Sequence, residues 1–217
     1  MTVELTPASL RTPRAAGAAG VVFAGLFAAV VVLIHSVVPS NPHDAGTWLT
    51  RPSSRHEVQF ALGLVPFCGI AFLWFMGAVR SRVGVAEDRF FATVFMGSGL
   101  LFVAMMFCLT AVFGALVTLA SLHGGHPPLN VWQLGRVLTY NLTVVFAMRM
   151  AAVFTIATST IALRTRSHSR WVAWLGLVVG VVLLFAAASV PWLLLAFPAW
   201  VFIVSVNLLV LARGGEG

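Results

Sequence analysis

The chain has 217 residues, of which 60% are hydrophobic and 9% charged, with a mean hydropathy of +0.99. Soluble domains carry roughly 25% charged residues, so this composition excludes a water-exposed surface over most of the molecule. The net charge of +7 comes from Arg alone, without a single Lys, and the arginines gather in short segments between apolar runs. That placement reports orientation in a membrane and excludes a nucleic-acid stripe, which needs basic residues interleaved with exposed aromatics.

At about 20 apolar residues per crossing, six spans are predicted: Ala16–Val38, Val58–Val79, Phe90–Ser121, Gly135–Leu163, Trp171–Val190 and Trp192–Ala212. The fold class is therefore all-α, a polytopic transmembrane helix bundle in which residues 1–217 form one integral membrane domain and residues 1–15 a short cytoplasmic segment. Arg11 and Arg14 precede the first span as an n-region precedes an h-region. The run is nevertheless too long for a cleaved signal and no A-x-A site follows it, so it reads as a retained span.

Span two ends in Arg80 and Arg82, and span three follows Glu87 and Asp88, whose carboxylates suit the free N–H groups of a helix start. Cys68 and Cys108 lie within these two spans. Counting along the helices at about 1.5 Å per residue places them at different depths, so no disulfide is expected. Spans three and four are longer than a crossing needs and should tilt or project.

Arg149 lies near the middle of span four. A central Arg costs about 2.5–3.5 kcal/mol on insertion scales, and no Asp or Glu within a span is placed to offset it. It is the candidate ligand-binding residue, projecting into a central cavity to hold an anion. The competing reading has it donating to exposed carbonyls or to Asn207 and Gln59.

Spans five and six are divided only by Ser189-Val190-Pro191-Trp192. Pro191 suits the first turn of a helix and Trp192 the headgroup level. Pro198 falls inside span six and should kink it, with five spans and a re-entrant piece as the alternative. Gly176 and Gly180 form a GxxxG in span five, read as ordinary packing.

With the amino terminus inside, nine arginines fall on the cytoplasmic side and three, Arg51, Arg55 and Arg136, on the outer side. Both termini are thus expected in the cytoplasm. The outer connections hold His43, Asp44, His56, Glu57, His123 and His126, with His35 at the end of span one. Imidazole and carboxylate together suit a transition metal, so His35, His56, His123 and His126 are the alternative metal or haem residues, although their spacing matches no metal motif. Hydrolase, protease and phosphate-loop motifs do not occur.

The stretch Met148-Arg149-Met150-Ala151-Ala152-Val153-Phe154, then Thr158-Ser159-Thr160, Arg170-Trp171-Val172-Ala173-Trp174-Leu175-Gly176 and Phe197-Pro198-Ala199-Trp200-Val201 resembles an uncharacterised family of small multi-pass membrane proteins from actinobacteria. The resemblance covers the last seventy residues, and it implies six helices and a plasma-membrane location. It brings no activity, cofactor or catalytic residue.

Taken together these features point to a non-enzymatic membrane component or subunit. The alternatives are a small transporter or anion-binding protein that uses Arg149, and a metal or haem protein that uses the outer histidines. No cofactor is expected on the leading reading. The expected partners are the lipid bilayer and a membrane protein or further copies of the chain, with no nucleic acid.

Overall fold

The structure is a computed structural model describing residues 12–39, 46–83, 89–165, 170–188 and 190–214, and within these the side chains of all but 12–16, 81–83, 89, 165 and 211–214. Among the described residues there is no strand. In an apolar solvent a helix satisfies its own backbone groups without neighbours, which is why uninterrupted apolar runs fold this way. The helices are α1 (Thr12–Val37), α2 (Pro52–Val83), α3 (Arg89–Leu122), α4 (Leu129–Tyr140), α5 (Met148–Thr165), α6 (Arg170–Ala186) and α7 (Ala196–Gly214).

Among the described residues five stretches are long and apolar enough to cross a membrane: Gly17–Val37, Pro52–Arg80, Phe90–Leu122, Leu129–Arg164 and Pro191–Val210. Helix α6 is a shorter apolar helix of 17 residues. At about 1.5 Å per residue it is some 25 Å long, slightly less than the hydrocarbon thickness. Among the described residues six rods therefore make the bundle. Glu87, Asp88, His43, Asp44 and Ser189 lie outside the described residues.

The rods converge on a cluster of phenylalanines, one each from α1, α2, α3, α5 and α7. Phe72 lies with its ring centroid 4.9 Å from Phe23, 5.2 Å from Phe102 and 5.0 Å from Phe154, while Phe197 is 5.0 Å from Phe102. All five are buried, and tilted or edge-on contacts of this kind add to their area burial. Small residues let the backbones approach elsewhere. Gly17 packs on Leu209 and Ser205, which sets the start of α1 beside the end of α7. Gly176 packs on Ser159 and Trp200, and Gly180 on Ile156 and the carbonyl of Ala152, so the GxxxG pair is where α6 meets α5.

A second, smaller apolar core sits at the opposite end of the bundle, made by Val38, Trp48, Leu49, Val58, Leu62, Phe113, Leu116, Val117, Ala120 and Trp132. The 3-10 turn Thr47–Thr50 folds down onto this end instead of standing in solvent. Gly46, at φ 76°, lies against Trp132, and Gly125, at φ 91°, against Thr50 and Leu49. Arg55 donates to the Leu49 carbonyl. The positive φ values explain the two glycines, since an L side chain is strained there.

The structure places Pro198 and corrects one expectation. A 3-10 segment, Pro191–Leu195, precedes α7, and Pro198 falls in the first turn of that helix, where its missing N–H is no loss. Cys68 and Cys108 are both free, but depth is not what separates them. Gly69 packs on Phe107, so the two thiols sit at neighbouring levels, Cys68 facing the core and Cys108 exposed.

Candidate functional site: a cavity between the two cores

The fourth rod is not a uniform α-helix. Asn141–Ala147 is π-helical, joining α4 to α5 without a break. Such a segment widens the helix and marks functional sites often. Its side chains form one wall of a cavity of about 210 Å3 lying between the main core and the smaller one.

Helix α1 supplies Phe27, Val30, Val31, Ile34 and His35 to this cavity. Met106 and Phe113 of α3 and Ala187, Pro191 and Leu194 of the α6–α7 turn also line it. The π segment supplies Thr143, Val144 and Ala147, and α4 supplies Arg136, Thr139 and Tyr140. The described lining is largely apolar, with a polar strip running along the fourth rod and His35 on α1.

That strip has a simple origin. Arg136, Thr139, Tyr140 and Thr143 stand at i, i+3, i+4 and i+7, the spacing that puts residues on one helix face. Thr139 Oγ1 donates to the Gly135 carbonyl and Thr143 Oγ1 to the Thr139 carbonyl, each at 2.8 Å. Each hydroxyl oxygen retains lone pairs that can accept from a ligand.

Arg136 Nη2 donates to the Pro39 carbonyl at 3.1 Å, and the guanidinium carbon lies 5.7 Å from the centre of the buried Trp132 ring. The charge is held at the rim by contacts to the end of α1 and to the smaller core. His35 lines the cavity from α1. Its Nδ1 lies 2.9 Å from the Val31 carbonyl and its ring 5.1 Å from that of Trp192. Among the described residues no Asp or Glu lines the cavity.

Arg149 is elsewhere. The buried face of α5 is Ala151, Ala152, Phe154, Thr155 and Thr158, and Arg149 falls opposite it, exposed on the outside of the bundle. Its Nη1 donates to the Val145 carbonyl at 2.9 Å, one turn back in the same rod. The central-cavity reading of Arg149 is thereby corrected: the helical phase beyond the π segment turns it away from the lining.

The four alternative metal residues are also dispersed in role. His35 is on the cavity wall, whereas His56, His123 and His126 are exposed. His123 Nδ1 lies 2.9 Å from the carbonyl of Leu119. Among the described residues no three of His, Cys, Asp or Glu group as they would around a metal ion. Of the sequence candidates, then, only His35 belongs to the cavity. Arg136 enters the sequence reading only as an outer-side charge, although its helical spacing to Thr139, Tyr140 and Thr143 is there to be read.

Comparison with known proteins adds nothing to this geometry: no family model matches the chain, and no curated protein or solved structure matches it.

Proposed function

We propose that this chain is a non-enzymatic, multi-pass component of a bacterial plasma membrane that holds an amphipathic molecule in the cavity walled by the π segment. The plasma-membrane location is the one the actinobacterial resemblance implies. The observation that carries the binding reading is the lining itself: a largely apolar chamber with convergent polar groups on one side is what small-molecule sites look like. The apolar part suits an acyl or similar hydrocarbon chain. The strip from Arg136 to Thr143 suits a polar or anionic end, with Arg136 as the formal charge on the lining. On the arginine distribution, this end of the bundle faces outward.

The test is photo-crosslinking with a diazirine-bearing fatty acid in vesicles holding the purified full chain. Labelled peptides should come from the lining, around Val30–His35, Met106–Phe113 and Thr139–Ala147. Val144→Phe, which puts a ring into the cavity from its π wall, should remove that labelling. Labelling confined to outward-facing residues such as Phe67, Trp74 and Phe185, and unchanged in Val144→Phe, would refute the reading.

A further inference from the structure

A different face of the fourth rod carries a separate inference, independent of the cavity. Arg149 is exposed on the side turned away from the lining, on one helix face with the exposed Phe146 and the half-buried Val153. It stands within the candidate span Leu129–Arg164. Its described hydrogen bond, to the Val145 carbonyl of its own rod, uses one of five N–H donors, and among the described residues no carboxylate pairs with it.

Depth can be read from the aromatic core. Phe154 packs on Phe72 at 5.0 Å, which registers α5 against α2. Arg149 lies five residues from Phe154 toward the cavity end, which is about 7.5 Å along the helix. A hydrocarbon core is about 30 Å thick. A fixed charge at this depth, on an outward face, calls for a partner that brings a negative charge to it.

A second copy of the chain does not bring one. The acidic residues are Glu4, Asp44, Glu57, Glu87, Asp88 and Glu216, and of these only Glu57 falls within a candidate span. Glu57 is fifteen residues from Phe72 toward the same end, about 22 Å along α2. In a shared membrane it would stand about 15 Å from the level of Arg149. The Arg side chain leans toward the start of its helix, to the level of Val145, and the gap still exceeds an ion pair. A lipid phosphate, at the level of the helix ends, is out of reach for the same reason.

We infer that this face docks a transmembrane helix of a different protein carrying an Asp or Glu at the depth of Arg149. A carboxylate matches the planar guanidinium fork with two parallel hydrogen bonds, and Phe146 and Val153 supply apolar contact beside it.

The experiment uses the full chain in phosphatidylcholine vesicles with a fluorescence donor and, as probe, an acceptor-labelled synthetic Leu/Ala transmembrane helix with one central Asp. Control helices carry Asn or Leu in its place. The Asp helix should associate at least tenfold more tightly than the Leu helix. Arg149→Leu should erase that preference while keeping its helical circular dichroism, and Arg149→Lys should keep part of it. If Arg149→Leu does not fold, the probe series on wild type and on Arg149→Lys still decides. Equal association of the Asp and Leu helices with wild type overturns the inference. So does a preference that survives in Arg149→Leu, self-association of wild type lost in Arg149→Leu, or loss of a bound phospholipid in that variant without any Asp preference.

Discussion

The ring of His35 lies 5.1 Å from the ring of Trp192, joining the end of α1 to the start of the 3-10 segment that leads into α7. Through it two parts of the cavity lining, the end of α1 and the α6–α7 turn, are tied together. Aromatic pairs of this kind contribute about 0.5–1.5 kcal/mol beyond burial. His35→Leu and Trp192→Leu should each lower the midpoint of thermal unfolding in detergent. Because the two residues touch, the double variant should lose less than the sum of the single losses. Additive losses would show that the contact carries no coupling.

Gly176 and Gly97 should respond oppositely to the same change. A Cβ at Gly176 would run into Ser159 and Trp200, both buried, whereas one at Gly97 meets nothing within 4 Å. Gly176→Ala is expected to destabilise by about 1–3 kcal/mol, as overpacking does. Gly97→Ala, on an open helix face, should be neutral or stabilising by up to about 1 kcal/mol. Thermal or denaturant unfolding in detergent checks both.

The cysteines give a test of facing rather than depth. Cys108 is exposed and Cys68 buried. In detergent, N-ethylmaleimide should modify Cys108 within minutes and Cys68 only on unfolding. Replacing both with Ala should leave migration on a non-reducing gel unchanged. Equal modification of the two thiols would mean that α2 is rotated relative to the arrangement described.

Orientation follows from the arginine count and is checked by labelling. In the Cys68→Ala, Cys108→Ala background, cysteines placed at Thr50 and His126 should react with a membrane-impermeant reagent in intact cells. Cysteines at Arg80 and Trp171, at the opposite end, should not. The reverse pattern would turn the cavity toward the cytoplasm.

Much of the fold was legible because lipid-spanning helices are written in length and hydropathy. The Trp171–Val190 and Trp192–Ala212 runs, divided at Pro191, match α6 and the segment leading into α7. What stayed hidden depends on packing. Nothing in Asn141–Ala147 marks it as π-helical, because an extra residue per turn is chosen by the neighbours a helix meets and not by its own composition. That segment is also what fixes the phase of α5, so the facing of Arg149 could not be read from a uniform 3.6-residue wheel. The turn at Thr47–Thr50 looked like an outer loop because it is short and polar at its edges, yet Trp48 and Leu49 are buried by Trp132 and Phe113 from distant parts of the chain. The polar strip from Arg136 to Thr143, by contrast, was written plainly in the spacing.

Arg136 should set the preference of the cavity for charge. Between a fatty acid and the alcohol of equal chain length, wild type should favour the carboxylate, and Arg136→Gln should narrow the gap by about tenfold, equivalent to 1.4 kcal/mol. Competition for the photo-reactive fatty acid gives the two affinities. An unchanged ratio would place the headgroup away from Arg136.

The most direct measurement is the thermal stability of wild type and Val144→Phe in detergent, each with and without a medium-chain fatty acid. Filling a ligand chamber with a protein side chain should raise the midpoint of the ligand-free protein by a few degrees, in line with about 0.5–2 kcal/mol for cavity filling, and should abolish the rise that the acid produces in wild type. If the acid raises neither midpoint, or raises both equally, the chamber between the two cores does not bind the ligand and the account of this protein as an amphiphile-binding membrane component is wrong.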